Sequence, residues 1–179
     1  MTASIQSAAA TAGALMPAES AVAQIGCVSS AAGTSVQRVS FPMSPPTTGF
    51  TATFSATPSS SAMDAALGFF APASSQQSIL SGLINFSPAG MIQVRDGNSF
   101  TSSNVPYAAG ETLQLRLVEN LPAASYSLFL TAPGGAEVPL GTNLQVPSDQ
   151  RGATTLGGLG QQVNGPDGAT LAVCNISLQ

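Results

Sequence analysis

The side chains available for acid–base chemistry in this 179-residue chain are eight carboxylates, and there is no histidine. A glycosidase-type pair needs two carboxyl groups about 5 to 9.5 Å apart, which on one strand face means acids at i and i+2 or i+4. Glu111 and Glu119 lie at opposite ends of one predicted strand, which is too far. Glu137 stands alone, and Asp149 and Asp167 fall in loop-like sequence. A pair formed between two strands stays open, but no spacing signals one.

Other catalytic and metal-binding chemistries find no support in the residue types. A Ser-His-Asp triad is impossible without histidine. The glycine-rich segment TTLGGLGQQVNGPDG, residues 154–168, lacks the lysine of a phosphate-binding loop and is not followed by a helical pattern. Two cysteines without histidine give too few soft ligands for a metal site. We therefore expect no catalytic residues, no metal and no cofactor, and predict that the protein is not an enzyme.

The two cysteines, Cys27 and Cys174, lie near the two ends of the candidate core. A disulfide between them would tie the first part of the domain to the last strand. Closing so long a loop stabilises a fold by about 5 kcal/mol as an upper figure in the chain-entropy model. The alternative is a pair of buried free thiols.

The composition excludes several classes of partner. Hydrophobic residues make up 44% of the chain and charged residues only 7%, against a usual charged share of about 25%. The net charge is −4, and the four basic residues are scattered arginines, so neither a phosphate-tracking nucleic-acid surface nor a polybasic membrane patch is expected. No apolar run approaches the roughly 20 residues that span a bilayer.

Residues 1–25 form an Ala/Ser-rich segment that we interpret as an arm, flexible or docking on a neighbouring subunit, ahead of one domain over residues 26–179. The alternative is a signal peptide, because AVA at 21–23 has the small residues of a cleavage site. Against it, no positive segment comes first, and Pro17, Glu19 and Ser20 interrupt the apolar stretch.

Alternating apolar and polar residues predict β-strands along most of the domain. The clearest segments are FTATFSA (50–56), ETLQLRLVE (111–119), SYSLFLT (125–131) and ATLAVCNISL (169–178), the last with Ala172, Cys174, Ile176 and Leu178 on one side. Shorter strands are predicted at 36–41, 65–69, 83–86, 91–95 and 137–140. Regularly spaced short strands with turn signals between them indicate an all-β sandwich or barrel.

Turn chemistry separates these strands, at SPAG (87–90), RDGN (95–98), APGGAE (132–137) and NGPDG (164–168). Asp96-Gly97 can occupy a type I′ or G1-bulge hairpin that joins a strand ending at Arg95 to one starting near Ser99. The alternative is that Arg95, Asp96 and Asn98 form a polar patch used by a ligand. The two interpretations are compatible, because hairpin tips often carry function.

The order of these motifs resembles bacterial concanavalin A-like (laminin-G-like) jelly-roll domains. The resemblance rests on FTATFSATPSSSAMDAALGF, INFSPAGMIQVRDGNSF, VPYAAGETLQLRLV and SYSLFLTAPGGAEVPL, and covers roughly residues 36–178. It implies a two-sheet antiparallel β-sandwich of the kind often found in secreted proteins and used for carbohydrate or surface attachment. The scarcity of acids puts a calcium site in doubt, since Ca²⁺ takes six to eight oxygens, usually from several carboxylates.

Two functions fit these observations, and we favour the first. It is a non-enzymatic structural subunit of an extracellular or surface assembly (filament, surface layer or viral shell) that forms a homo-oligomer through the N-terminal arm. A surface with few charges loses little hydration free energy when it is buried against other copies. The second is a secreted carbohydrate-binding module. For that function the candidate ligand-binding residues are Arg95, Asp96, Asn98 and Tyr107. Tyr107 lies in a turn, where its ring can be exposed; the alternative is a ring that packs over the hairpin with its hydroxyl bonded to backbone. The phenylalanines at alternating positions are assigned to the core.

Overall fold

A computed structural model describes residues 23–33, 36–40, 48–70, 81–148, 151 and 158–179. Within these ranges every regular element is a strand, and no helix there is long and apolar enough to cross a membrane. The strands are β1 Ala23–Ile25, β2 Val28–Ala31, β3 Gln37–Ser40, β4 Gly49–Pro58, β5 Asp64–Phe70, β6 Ser81–Phe86, β7 Met91–Asp96, β8 Ser99–Pro106, β9 Leu113–Asn120, β10 Ser125–Thr131, β11 Glu137–Gln145, β12 Gly158–Gly165 and β13 Thr170–Leu178.

The strands form two antiparallel sheets that face each other. Sheet A has the order β1-β13-β4-β9-β10-β11, and β2 also pairs with β13. Sheet B has the order β3-β12-β5-β6-β7-β8. The prediction of an all-β, two-sheet antiparallel sandwich is confirmed.

The core lies between the sheets because alternate side chains of each strand point inward. In β9 the three leucines at 113, 115 and 117 are buried, whereas Gln114 on the opposite face is exposed. Phe69 of β5 lies between two aromatic rings of β4, with its centroid 5.8 Å from both Phe50 and Phe54. These edge-to-face contacts join sheet A to sheet B at the centre of the molecule.

Strand β13 corrects one predicted orientation. Leu171 and Val173 are buried, so Ala172 and Cys174 lie on the outer side and not with Ile176 and Leu178. The reason is a bulge after Cys174, where Asn175 has a φ of 54° and the register with β4 shifts. One extra residue on the strand reverses the face of all residues that follow it.

Strand β12 and the two short strands at the start of the domain are absent from the sequence predictions. Strand β12 lies in the glycine-rich segment 154–168, where no strand was predicted. Strand β1 lies within the range predicted as an arm, and it pairs with β13 through Ala23 and Leu178. The rest of the predicted arm, residues 1–22, lies outside the described residues.

Cys27 and Cys174 form a disulfide, which confirms the predicted pairing. Cys27 lies between β1 and β2, and Cys174 lies at the bulge of β13, so the bond joins the segment between the two short strands to β13 of sheet A. On the same side of β13, the Ser55 hydroxyl donates to the Cys174 carbonyl at 3.2 Å.

Reduction of the disulfide is expected to destabilise the fold strongly. The bond spans 147 residues, and the chain-entropy model assigns a loop of this length about 5 kcal/mol as an upper limit. Urea unfolding with and without a phosphine reductant measures the loss. The double variant Cys27→Ala/Cys174→Ala should unfold at the reduced protein's midpoint in both conditions. An unchanged midpoint for the parent protein would contradict the prediction.

Candidate functional site

The tip of the β7–β8 hairpin lies at one end of the sandwich. Asp96 pairs with Ser99, so the two-residue connection is Gly97–Asn98, one residue later than the predicted Asp96–Gly97. Gly97 has a φ of 56°, a conformation that costs glycine little. Asp96 remains in strand β7 because its carboxylate accepts a hydrogen bond from the end of β11.

Asp96 and Asn98 fasten this tip to the end of β11. The Asp96 Oδ1 accepts a hydrogen bond from the Gln145 amide at 2.8 Å, and the Gly97 amide donates to the Gln145 carbonyl at 2.8 Å. The Asn98 side chain donates to the Ser148 hydroxyl at 3.2 Å and accepts from the Ser148 amide at 3.3 Å. These side chains therefore hold the hairpin in place.

Arg95 has a different environment from its two neighbours. Its Nε donates to the Gly97 carbonyl at 3.0 Å, and within the described ranges no partner is found for its two terminal nitrogens. Phe100 lies directly opposite Arg95 in the β7–β8 ladder and is 47% exposed. Opposite residues share a sheet face, so a fixed guanidinium and an open aromatic ring stand side by side on the outer face of sheet B.

Planar polar side chains extend this surface along the sheet. Gln93 lies opposite Asn85 on β6 and Ser102 on β8. The Asn85 amide nitrogen donates to Gln93 Oε1 at 2.9 Å, which fixes the orientation of both amides. We call the surface formed by Asn85, Gln93, Arg95, Phe100 and Ser102 the hairpin patch.

Tyr107 is not part of the hairpin patch: of the two interpretations, the structure shows the packed ring with its hydroxyl bonded to backbone. The ring is 5% exposed and packs edge-on against Phe86, with centroids 5.1 Å apart. Its hydroxyl accepts from the Met63 amide at 2.9 Å and donates to the Ser87 carbonyl at 2.7 Å. Because the hydroxyl is satisfied by backbone groups, the tyrosine can close the core after β8.

Phe100 is the residue that sequence reasoning missed, since it was not singled out as a candidate for ligand binding. Strand β8 reads SFTSSNVP, and its residues from Ser99 to Ser102 are all exposed. The sequence did carry a signal for its exposure, namely a single aromatic residue in a polar segment directly after a tight turn. Such a ring has no apolar neighbours beside it on its own strand and is therefore expected to be exposed.

Glu119 is a buried carboxyl group close behind the hairpin tip. It is 4% exposed, it points into the core, and neither carboxylate oxygen has a hydrogen-bond partner in the part of the chain that the structure describes. Burial raises the pKa of Glu119 to about 8. Gly49 on β4 is required here, because a Cβ at that position would come within 2.6 Å of the Glu119 carbonyl oxygen.

Tyr126 lies opposite Glu119 on β10 and joins the two sheets at this end. Its hydroxyl donates to the Arg95 carbonyl of β7. Burial raises the pKa of Tyr126, and the negative charges of Glu119 and Asp96 raise it further, while Arg95 lowers it. The hydroxyl therefore stays protonated and remains a donor to the hairpin.

Glu137 and Glu111 are each held by a hydrogen-bonded partner. Glu137 makes a two-bond ion pair with Arg116, with Nε–Oε2 and Nη2–Oε1 distances of 2.9 and 2.6 Å. Glu111 accepts a hydrogen bond from the Ala108 amide at 3.1 Å. Within the described ranges, no group of three or more His, Cys, Asp or Glu residues could hold a metal ion. Asp149 lies outside those ranges.

Comparison with solved structures decides the fold. Lectin II from Ulex europaeus superposes with a TM-score of 0.60 over 92% of this chain and 94% of that one, at 13% sequence identity. The fold is a concanavalin A-like jelly roll. The predicted resemblance is therefore confirmed at the level of architecture.

The same jelly roll also occurs in enzymes. The catalytic domain of a GH131 β-glucanase from Podospora anserina matches with a TM-score of 0.56 at 9% identity, over 86% of this chain and 70% of that one. A sialidase matches with a TM-score of 0.58 at 13% identity over 86% of this chain, which spans only 15% of the sialidase. No protein-family model matches the sequence, and no curated protein does. At these identities the fold is shared and the function must be argued from the site.

The buried Glu119 carboxyl predicts that stability falls as the pH rises. Between the ordinary pKa of 4.5 and the folded value of about 8, the folded protein binds one more proton than the unfolded chain. The stabilising contribution of this proton to the free energy of unfolding is fully present below pH 4.5. It is lost as the pH rises through 8, a decrease on the order of 4 kcal/mol. Urea midpoints from pH 4.5 to 8.5 measure it.

Glu119→Gln mimics the protonated carboxyl group and should flatten this pH dependence. Glu137→Gln is the matched control, because the ion pair lowers the pKa of Glu137, so that Glu137 is ionised in both states above pH 5. A parent protein whose urea midpoint rises from pH 5 to 8 would refute the assignment.

Proposed function

We propose that this protein is a carbohydrate-binding module that binds through the hairpin patch. The observation that carries the proposal is the pairing of the exposed Phe100 ring with an Arg95 guanidinium whose terminal nitrogens have no partner among the described residues. An aromatic face stacks on the apolar face of a sugar ring, and planar donors and acceptors beside it bond the hydroxyl groups. Asn85 and Gln93 supply such groups, already oriented by their mutual hydrogen bond.

The fold and the disulfide support this proposal. The chain shares its architecture with lectin II from Ulex europaeus over nearly the full length of both. Disulfides persist in oxidising compartments, so the Cys27–Cys174 bond favours a location outside the cell or on its surface. A net charge of −4 with only four arginines disfavours nucleic acid as the partner.

We propose a binding role without catalysis. The carboxyl group with the raised pKa, Glu119, is enclosed between the sheets. Hydrolysis of a glycosidic bond needs a proton donor that reaches the bond from the surface. Glu137 is held by Arg116 on sheet A, away from the hairpin patch. Release of reducing sugar from soluble polysaccharides would overturn this part of the proposal.

Removal of the Phe100 ring is expected to weaken glycan binding about tenfold, because stacking on an aromatic ring contributes on the order of 1 kcal/mol beyond area burial. A glycan array with the parent protein identifies ligands, and calorimetry then compares the parent with Phe100→Ala.

Val138→Ala is the matched control, since Val138 on β11 is also an exposed apolar side chain, at 40% against 47% for Phe100. Equal losses in the two variants, or no glycan bound by the parent at millimolar concentration, would refute the proposal.

Self-assembly remains the second candidate function. Strands β1 and β2 both pair with β13 on the side away from β4 and so form one outer edge of sheet A. A sheet edge offers free backbone groups for strand pairing with another copy. The predicted arm leads directly into this edge through Ala23.

Deletion of residues 1–22 tests the assembly role. If the arm connects copies, the full chain elutes as an oligomer in size-exclusion chromatography with light scattering, and the truncated chain elutes as a folded monomer. A full chain that is monomeric at high concentration would remove this candidate.

A further inference from the structure

The four arginines differ in how their charge is used. Arg116 is neutralised by Glu137 and stacks on Phe129, with 4.0 Å from Cζ to the ring centroid. Arg38 lies over the Phe70 ring at 5.2 Å, and Arg151 donates to the Val146 carbonyl at 3.3 Å. Arg95 has its Nε fixed by the Gly97 carbonyl and no ion pair with any described acid.

The acid beside Arg95 does not neutralise it. Asp96 follows directly in β7, and successive side chains of a strand point to opposite faces. The Asp96 Oδ1 accepts from the Gln145 amide on β11. The guanidinium on the outer face of sheet B is therefore a fixed positive charge that no described carboxylate satisfies.

We propose that Arg95 binds the carboxylate of an acidic sugar, so that the glycan recognised by the hairpin patch contains uronate units. This inference rests on the proposed function. With Nε occupied, the two terminal nitrogens present a planar pair of donors that matches the two oxygens of a carboxylate. The Phe100 ring, opposite in the ladder, then lies where the face of the same or the adjacent sugar unit can stack.

The overall charge makes this contact decisive. A net charge of −4 opposes the approach of an anionic polymer, so recognition cannot come from a basic surface. Recognition of the acidic sugar instead depends on one short-range, charge-assisted pair between the Arg95 guanidinium and the sugar carboxylate. Loss of that pair should remove most of the discrimination between acidic and neutral sugars.

Paired oligosaccharides test the inference. Hexamers of galacturonate, mannuronate and glucuronate are each compared by calorimetry with their carboxyl-reduced, neutral forms, at low and moderate salt. We expect at least one acidic hexamer to bind about 10- to 100-fold more tightly than its neutral form. Arg95→Gln should abolish this difference, and Arg95→Lys should restore part of it, because lysine keeps the charge but loses the planar fork.

Arg116→Gln is the charge-matched control, since it lowers the net charge equally on the outer face of sheet A and should leave the difference intact. Thermal unfolding and binding of a neutral hexamer report whether Arg95→Gln disturbs the hairpin itself. Acidic and neutral forms that bind equally would overturn the uronate assignment and leave the carbohydrate-binding proposal standing. Failure of both forms to bind would overturn both.

Discussion

The apolar layer between the two sheets is the constraint on which every other feature depends. Phe69 contacts Phe50 and Phe54 across that layer, and each strand contributes alternate residues to it. The layer also encloses polar groups that have no hydrogen-bond partner among the described residues, including the carboxyl group of Glu119 and the amide of Gln161. Each costs free energy because it has lost water without gaining a hydrogen bond. Glu119 avoids the larger cost of a buried charge by staying protonated, as its raised pKa shows.

Hydrogen bonds join the two sheets at the end that carries the hairpin patch. The Tyr126 hydroxyl reaches from sheet A to the Arg95 carbonyl in sheet B, and the Gln145 backbone holds Asp96 and Gly97 from β11. Because the backbone of Arg95 is held in this way, its side chain begins from a fixed point. A rigid support of this kind lowers the entropy that a ligand would otherwise lose on binding.

Much of the fold could be predicted from the sequence because alternation is a local property. Strands β4, β9 and β10 lie where the alternation of apolar and polar residues predicted them. Strand β13 was predicted in place but partly with the wrong face, since a bulge at Asn175 is set by pairing with β4 and not by the strand's own pattern. Strand β12 could not be read as a strand, because glycines have no side chain to show which face is buried.

The candidate site was predicted in part. The RDGN hairpin was found because its turn chemistry is specific, and Arg95 lies at its base. The burial of Tyr107 and the exposure of Phe100 could not be predicted from local sequence, because a ring's burial depends on which distant strand covers it. Tyr107 meets Met63 and Ser87 from other parts of the chain, whereas Phe100 lies opposite Arg95 of its own hairpin.

Strand β8 lies at the edge of sheet B, yet it is poorly shaped to serve as a template for another strand. Between its pairs with Met91 and Gln93 of β7 it advances from Pro106 to Ser102, so extra residues bulge out of the ladder, and Asn104 takes a φ of 59°. An irregular edge of this kind, ended by a proline, resists the continuous edge-to-edge stacking that produces fibrils. The patch-bearing side of the molecule can therefore stay open to solvent at high concentration.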